Sequence, residues 1–88
     1  MTWKVEFDDR AARELRKLDP QIQEDILAYL RKRIATSENP RRFGKSLSGG
    51  LRGLWRYRVR DYRLICSISE REKTVVILRV GHRGKVYA

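Results

Sequence analysis

The chain has 88 residues, room for one small domain and too few for a two-domain enzyme or a large cofactor cleft. It carries 21 Lys and Arg against 11 Asp and Glu, a formal net charge of +10, and one cysteine. An internal disulfide is thereby excluded, and a reducing, cytoplasmic setting is expected. The N-terminus is charged at once and the longest apolar run, Val75 to Leu78, is short, so neither a leader peptide nor a membrane span is expected.

Trp3, Val5 and Phe7 alternate with Lys4 and Glu6, which predicts a short first strand with one buried face. Asp8 or Asp9 then caps a helix in which Ala11, Leu15 and Leu18 recur at i, i+4, i+7. Asp19-Pro20, a cap followed by proline, closes that helix and opens a second. Its inward stripe is Ile22, Ile26, Leu30 and Ile34, and it is expected to stop before Asn39-Pro40. Residues 40–53 hold four glycines, Arg41, Arg42, Lys45 and Arg52, and no acid. That composition predicts a mobile basic loop able to approach a phosphate backbone, a plain connector being the alternative. Three strands follow, from Leu54 to Val59, Tyr62 to Ser69 and Thr74 to Val80, joined by Arg60-Asp61 and by residues 70–73. The order β-α-α-β-β-β is an α+β fold, a helical hairpin packed on a small, mainly antiparallel sheet, as one domain over residues 1–88. The place of the first strand in that sheet stays open.

The charge is lopsided. Residues 1–39 hold eight basic and eight acidic side chains, whereas residues 40–88 hold thirteen basic ones against Asp61, Glu70 and Glu72. A neutral support with a polyanion-facing surface is the natural reading. With Arg60-Asp61 as a two-residue turn, Val59 faces Tyr62, Tyr57 faces Leu64, and Arg58 faces Arg63. The first two pairs belong to the core, so Arg58 and Arg63 oppose each other on the other face with Arg56 one step along. Like charges directly opposite destabilise a sheet, which makes sense if an anion sits between them; arginines splayed into solvent are the plain alternative. The last strand brings Gly81-His82-Arg83-Gly84-Lys85-Val86-Tyr87 to the same end. The face of Arg79 depends on the length of the preceding loop and stays unassigned, and strand parity points Cys66 at the core.

So few carboxylates, one histidine and a core cysteine are poor material for a two-metal or zinc centre, and no metal or cofactor is expected. Arginines with a histidine and a tyrosine suit metal-free cleavage of RNA, in which the ribose 2′-hydroxyl attacks the adjacent phosphate. Arg58, Arg63, His82, Arg83 and Tyr87 are the candidate catalytic residues, His82 and Tyr87 as the proton carriers. Arg41, Arg42, Lys45, Arg52, Arg56, Arg60 and Lys85 are candidates for RNA and phosphate binding.

The combination of Val5-Glu6-Phe7, Leu15-Arg16-Lys17-Leu18, Asn39-Pro40, Leu51 to Val59, Asp61-Tyr62-Arg63-Leu64-Ile65, Arg79-Val80-Gly81-His82-Arg83 and Val86-Tyr87 resembles RelE-type toxins of the RelE/ParE type II toxin–antitoxin superfamily. The resemblance covers nearly the whole chain. It implies a microbial-ribonuclease-like fold and a ribosome-dependent endoribonuclease that cuts mRNA in the A site, leaving 2′,3′-cyclic phosphate and 5′-hydroxyl ends. It also implies a cognate RelB-like antitoxin, whose amphipathic or acidic segment wraps the toxin in a hetero-oligomer. Family roles fall on Arg56, Arg58, Arg63 and Arg83 as basic and phosphate-stabilising residues, and on Tyr87 as the C-terminal tyrosine. Where the best-known member has lysines this chain has Arg56 and Arg58, and arginine does not serve as a base, so proton transfer passes to His82 or Tyr87. Arg60 stands where many relatives place glycine. The alternatives are a ParE-like, non-enzymatic inhibitor of DNA gyrase and a non-catalytic RNA-binding module.

Overall fold

The computed structural model describes residues 1–85. Strand β1 spans Lys4–Phe7, helix α1 Asp9–Arg16 and helix α2 Pro20–Tyr29, the last extended by a π-helical turn over Leu30–Ile34. Asp8 is the cap of α1, its carboxylate accepting from the Ala11 amide at 2.8 Å, and Asp19 caps α2 by accepting from the Gln21 amide at 2.9 Å. Strands β2 (Lys45–Ser46), β3 (Trp55–Val59), β4 (Tyr62–Ser69) and β5 (Thr74–His82) complete a five-stranded sheet in the order β1-β5-β4-β3-β2. All neighbours are antiparallel except β1 and β5, so the first strand lies at one edge, parallel to the last.

Both helices lie against one face of this sheet. Ala11 and Leu15 from α1, with Ile26, Leu30 and Ile34 from α2 and its extension, meet Tyr57, Val59, Leu64, Cys66, Val75, Ile77 and Val80 in one core. The inward stripe of the second helix is therefore the expected one, with Ile22 at its partly buried end. The hairpin register is also as expected: Val59 pairs with Tyr62, Tyr57 with Leu64 and Arg58 with Arg63.

Two features depart from the sequence reading. The segment expected to be a mobile loop is pinned. Pro40 is buried and its carbonyl accepts from the Tyr57 hydroxyl at 2.8 Å, the Phe43 carbonyl accepts from Trp55 Nε1 at 2.7 Å, and β2 pairs with β3. Gly44 makes the close approach possible: its φ is +79°, and a Cβ there would lie 2.2 Å from the Arg56 carbonyl oxygen. The second departure is a bulge in β5. Ile65 pairs with Arg79 but Cys66 with Ile77, leaving Leu78 as an extra residue. Inward parity consequently changes from Val75 and Ile77 to Val80, which keeps the core apolar along all of β5.

Burial raises the pKa of the Tyr57 phenol, aided by neighbouring Cys66 and Tyr29 and opposed by Arg41, so the group remains a hydrogen-bond donor in the core. Tyr57→Phe leaves the buried Pro40 carbonyl without that donor. It is expected to lower stability by about 1–2 kcal/mol, read as a fall in the urea midpoint with unchanged m-value.

Candidate functional site

The arginine cluster is produced by strand parity. Tyr57, Val59 and Leu64 are apolar and take the core face, so Arg56, Arg58 and Arg63 must take the other. Across the sheet, Arg58, Arg63 and Gly81 are successive Cα partners and form one row, to which Gly81 adds no side chain. The adjoining row is Arg56, Ile65 and Arg79. The Arg83 amide donates to the Asp61 carbonyl at 2.8 Å, which fixes the strand following His82 against the β3–β4 turn. Arg58, Arg63, His82 and Arg83 are thus brought to one end of the sheet, but His82, the Cα partner of Tyr62, has the parity of Val59 and Tyr62 and so lies on the face opposite Arg58 and Arg63.

Within that end the groups are individually held. Arg58 Nε donates to the carbonyl of Arg60 at 3.0 Å while the rest of the residue stays exposed. His82 pairs with Tyr62, ring edge to ring face at 5.4 Å, and its Nδ1 lies 3.1 Å from the Arg83 carbonyl oxygen. That contact is a hydrogen bond in the tautomer that protonates Nδ1, which leaves Nε2 to accept a proton. Tyr87, the other proposed proton carrier, lies outside the described residues.

The remaining candidates divide. Lys45 is the Cα partner of Arg56 across β2 and β3, so both sit beside the cluster. Lys85 and Arg52 are exposed, Lys85 in the turn after β5 and Arg52 at the end of the pinned segment. Arg41 is drawn to the opposite end of the sheet by Glu70, at 2.6 Å, with its guanidinium 5.9 Å from the Trp55 ring. Arg42 pairs with Glu38 at 3.2 Å and lies over the Phe43 ring. Arg60, in the turn with φ +55°, pairs with Asp25 of α2. These three are tied to acids and are not gathered with the others. Among the described residues no three His, Cys, Asp or Glu side chains gather into a metal-binding group, and no helix is long and apolar enough to cross a membrane.

Sequence reasoning missed Glu14. Strand β1 ends opposite Ile77, so the outer edge of β5 beyond the bulge has no strand beside it. The Glu14 carboxylate fills the gap, accepting from the Val80 amide at 2.8 Å and from Arg79 Nε at 3.1 and 3.3 Å. It braces the stretch of β5 that carries His82 and Arg83, and it also places Arg79. The only sequence signal is an acid on the helix beside the inward Ala11 and Leu15, which is not specific.

Two helices on one face of a five-stranded mixed sheet match the RelE/ParE superfamily of type II toxins. A family described as the ParE toxin of the type II toxin–antitoxin system parDE matches residues 5–87, and the chain belongs to it. It is 38% identical over 87 residues to toxin RelG of Mycobacterium tuberculosis, covering 99% of this chain and 98% of the relative. Among solved structures, it is similar to the toxin–antitoxin complex RelBE2 from Mycobacterium tuberculosis, with TM-score 0.85, 35% identity and coverage of 97% and 95% of the two chains. It is also similar to the archaeal RelE–RelB complex from Pyrococcus horikoshii, with TM-score 0.75, 29% identity and coverage of 97% and 99%.

Two outcomes follow from the local chemistry. Glu14→Ala strands the Val80 amide and a largely buried Arg79, and is expected to cost about 2–3 kcal/mol in urea unfolding; Glu14→Gln, which still accepts from Val80, costs less. Burial pushes the Cys66 thiol up to about 12, against a smaller lowering by Arg41. Iodoacetamide at pH 8.5 is accordingly expected to leave the native thiol unmodified and to alkylate it once the protein is unfolded in urea, as read by mass spectrometry.

Proposed function

We propose that this toxin is a ribosome-dependent, metal-independent endoribonuclease that cleaves mRNA in the A site and so arrests translation and growth. The observation that carries the reading is the Arg58–Arg63 pair, two like charges held face to face across β3 and β4 with Arg83 fixed against the same turn. Two guanidiniums so placed match the oxygens of a phosphate, and their chemistry is that of a phosphate site. The 38% identity to toxin RelG supports the same reading.

In the reaction, the 2′-oxygen of the ribose forms a bond to the adjacent phosphorus as the bond to the 5′-oxygen of the next nucleotide breaks. A 2′,3′-cyclic phosphate and a 5′-hydroxyl result. Arg58, Arg63 and Arg83 stabilise the charge that grows on the non-bridging oxygens. Tyr87, and His82 reaching round the end of β5 from the Tyr62 face, take the 2′-hydroxyl proton and supply one to the departing 5′-oxygen. Arg56 and Lys45 hold the neighbouring backbone, and Arg52 and Lys85 add ribosome-facing charge. A cognate RelB-like antitoxin covers these cations in the resting hetero-oligomer in the cytoplasm.

A ParE-like block of DNA gyrase is the second reading, favoured by the description of the matched family. Expression without antitoxin, with mRNA 5′ ends mapped by primer extension, separates the two. Cleavage at A-site codons is expected, reduced about 100-fold or more by Arg83→Ala and strongly by Tyr87→Phe. Growth arrest with intact mRNA and a DNA-damage response would assign the toxin to gyrase instead.

A further inference from the structure

Beside the arginine row the sheet edge carries a second feature. A depression of about 240 Å³ is lined by Tyr29, Phe43, Gly44, Lys45, Arg56 and Arg58, with no acidic side chain in its wall. Its apolar side is rigid: Tyr29 and Phe43 meet edge to face at 6.4 Å, and Tyr29 packs on buried Tyr57 at 6.0 Å. Gly44 lies close on β3 at its base, where a Cβ would strike Arg56, Trp55 and Tyr57. The guanidinium of Arg33 lies 5.3 Å from the Phe43 ring and adds to the positive potential, while Arg42, 4.8 Å from the same ring, is paired with Glu38.

The cations repeat. Lys45 opposes Arg56 across β2 and β3, and Arg58 opposes Arg63 across β3 and β4. These two like-charged pairs are set two residues apart along β3, about 6.8 Å, which is comparable to one nucleotide step of an extended single strand. The depression is lined by Lys45 and Arg56 of the first pair and by Arg58 of the second. Its volume is below the roughly 300–1,000 Å³ of pockets that take drug-sized ligands, so it suits one flat ring system.

From this we infer that the depression is a nucleotide subsite, in which one nucleobase lies against Tyr29 and Phe43 while its phosphate is held by Lys45 and Arg56, next to the phosphate on Arg58 and Arg63. The inference rests on the ribonuclease reading for its substrate class and for the backbone contacts of Lys45 and Arg56, and adds to it a base contact at Tyr29 and Phe43. Aromatic contact with a base is sequence-tolerant, so the subsite provides grip and alignment of the strand and does not read a codon. Lys45 and Phe43 are binding residues for the nucleotide beside the one that reacts.

Titration of the isotope-labelled toxin with adenosine 5′-monophosphate, followed by amide chemical shifts, tests this against inorganic phosphate. The nucleotide is expected to shift Gly44, Lys45 and Arg56 where phosphate alone does not. Phe43→Leu, which keeps apolar volume, and the exposed-site change Lys45→Glu are each expected to weaken the nucleotide about tenfold or more. An undisturbed spectrum away from the depression confirms that each variant folds. Equal shifts with phosphate, shifts confined to Arg63 and Arg83, or a response at Gly44 and Lys45 only to an acidic antitoxin peptide would each overturn the subsite. Wild-type mRNA cleavage with no nucleotide response at the depression removes the subsite and leaves the ribonuclease reading. A nucleotide response without mRNA cleavage does the reverse.

Discussion

The two-residue turn between β3 and β4 is the constraint on which the functional surface depends. It fixes Tyr57 opposite Leu64 and Arg58 opposite Arg63, and the alternation of the strand does the rest. A slip of one residue would turn Arg56 and Arg58 to the helices and expose Tyr57 and Val59. Each large apolar side chain so exposed forfeits about 1.5–3 kcal/mol, and each buried guanidinium costs more, so the register is not negotiable. Core formation therefore enforces the like-charge face, and a small domain accepts that repulsion because the apolar gain on the other side of the same strands is larger.

The far end of the site is held by different means. Strand β5 must bury Val75 and Ile77 on one parity and Val80 on the other, and the bulge at Leu78 reconciles them. The bulge lies where β1 has run out, so the unprotected edge needs another acceptor. Glu14 provides it from α1, binding the Val80 amide and Arg79 together. Helix α1 thereby does more than cover the core: it steadies the segment from which His82 and Arg83 project.

The electrostatics are subtler than a charge count conveys. Glu14, Asp25 and Glu38, all from the neutral first 39 residues, reach Arg79, Arg60 and Arg42 of the basic second half, and Glu70 takes Arg41. Arg79, Arg60 and Arg42 are structural ties between the two halves, and the Arg41–Glu70 pair lies within the second. The opposed cations of β2, β3 and β4 lie in a strip aligned with the sheet and not spread over the surface. Partner attraction and strand alignment then come from the same residues.

Period-two alternation, helix spacing and the caps at Asp8 or Asp9 and at Asp19 were enough to read both helices, the three-strand meander and the Arg58–Arg63 opposition from sequence, because each is set by residues within one element or across one short turn. The charge asymmetry was legible for the same reason. Tertiary structure alone decided that β1 lies parallel at the edge, that residues 40–53 are a pinned strap, that Arg79 belongs to Glu14, and that Tyr29 and Phe43 meet beside Arg56. Glu14 and Arg79 are 65 positions apart, and Tyr57 reaches Pro40 over 17. Contacts over such separations leave no periodic mark in the chain, since they form only after the core has brought the elements together.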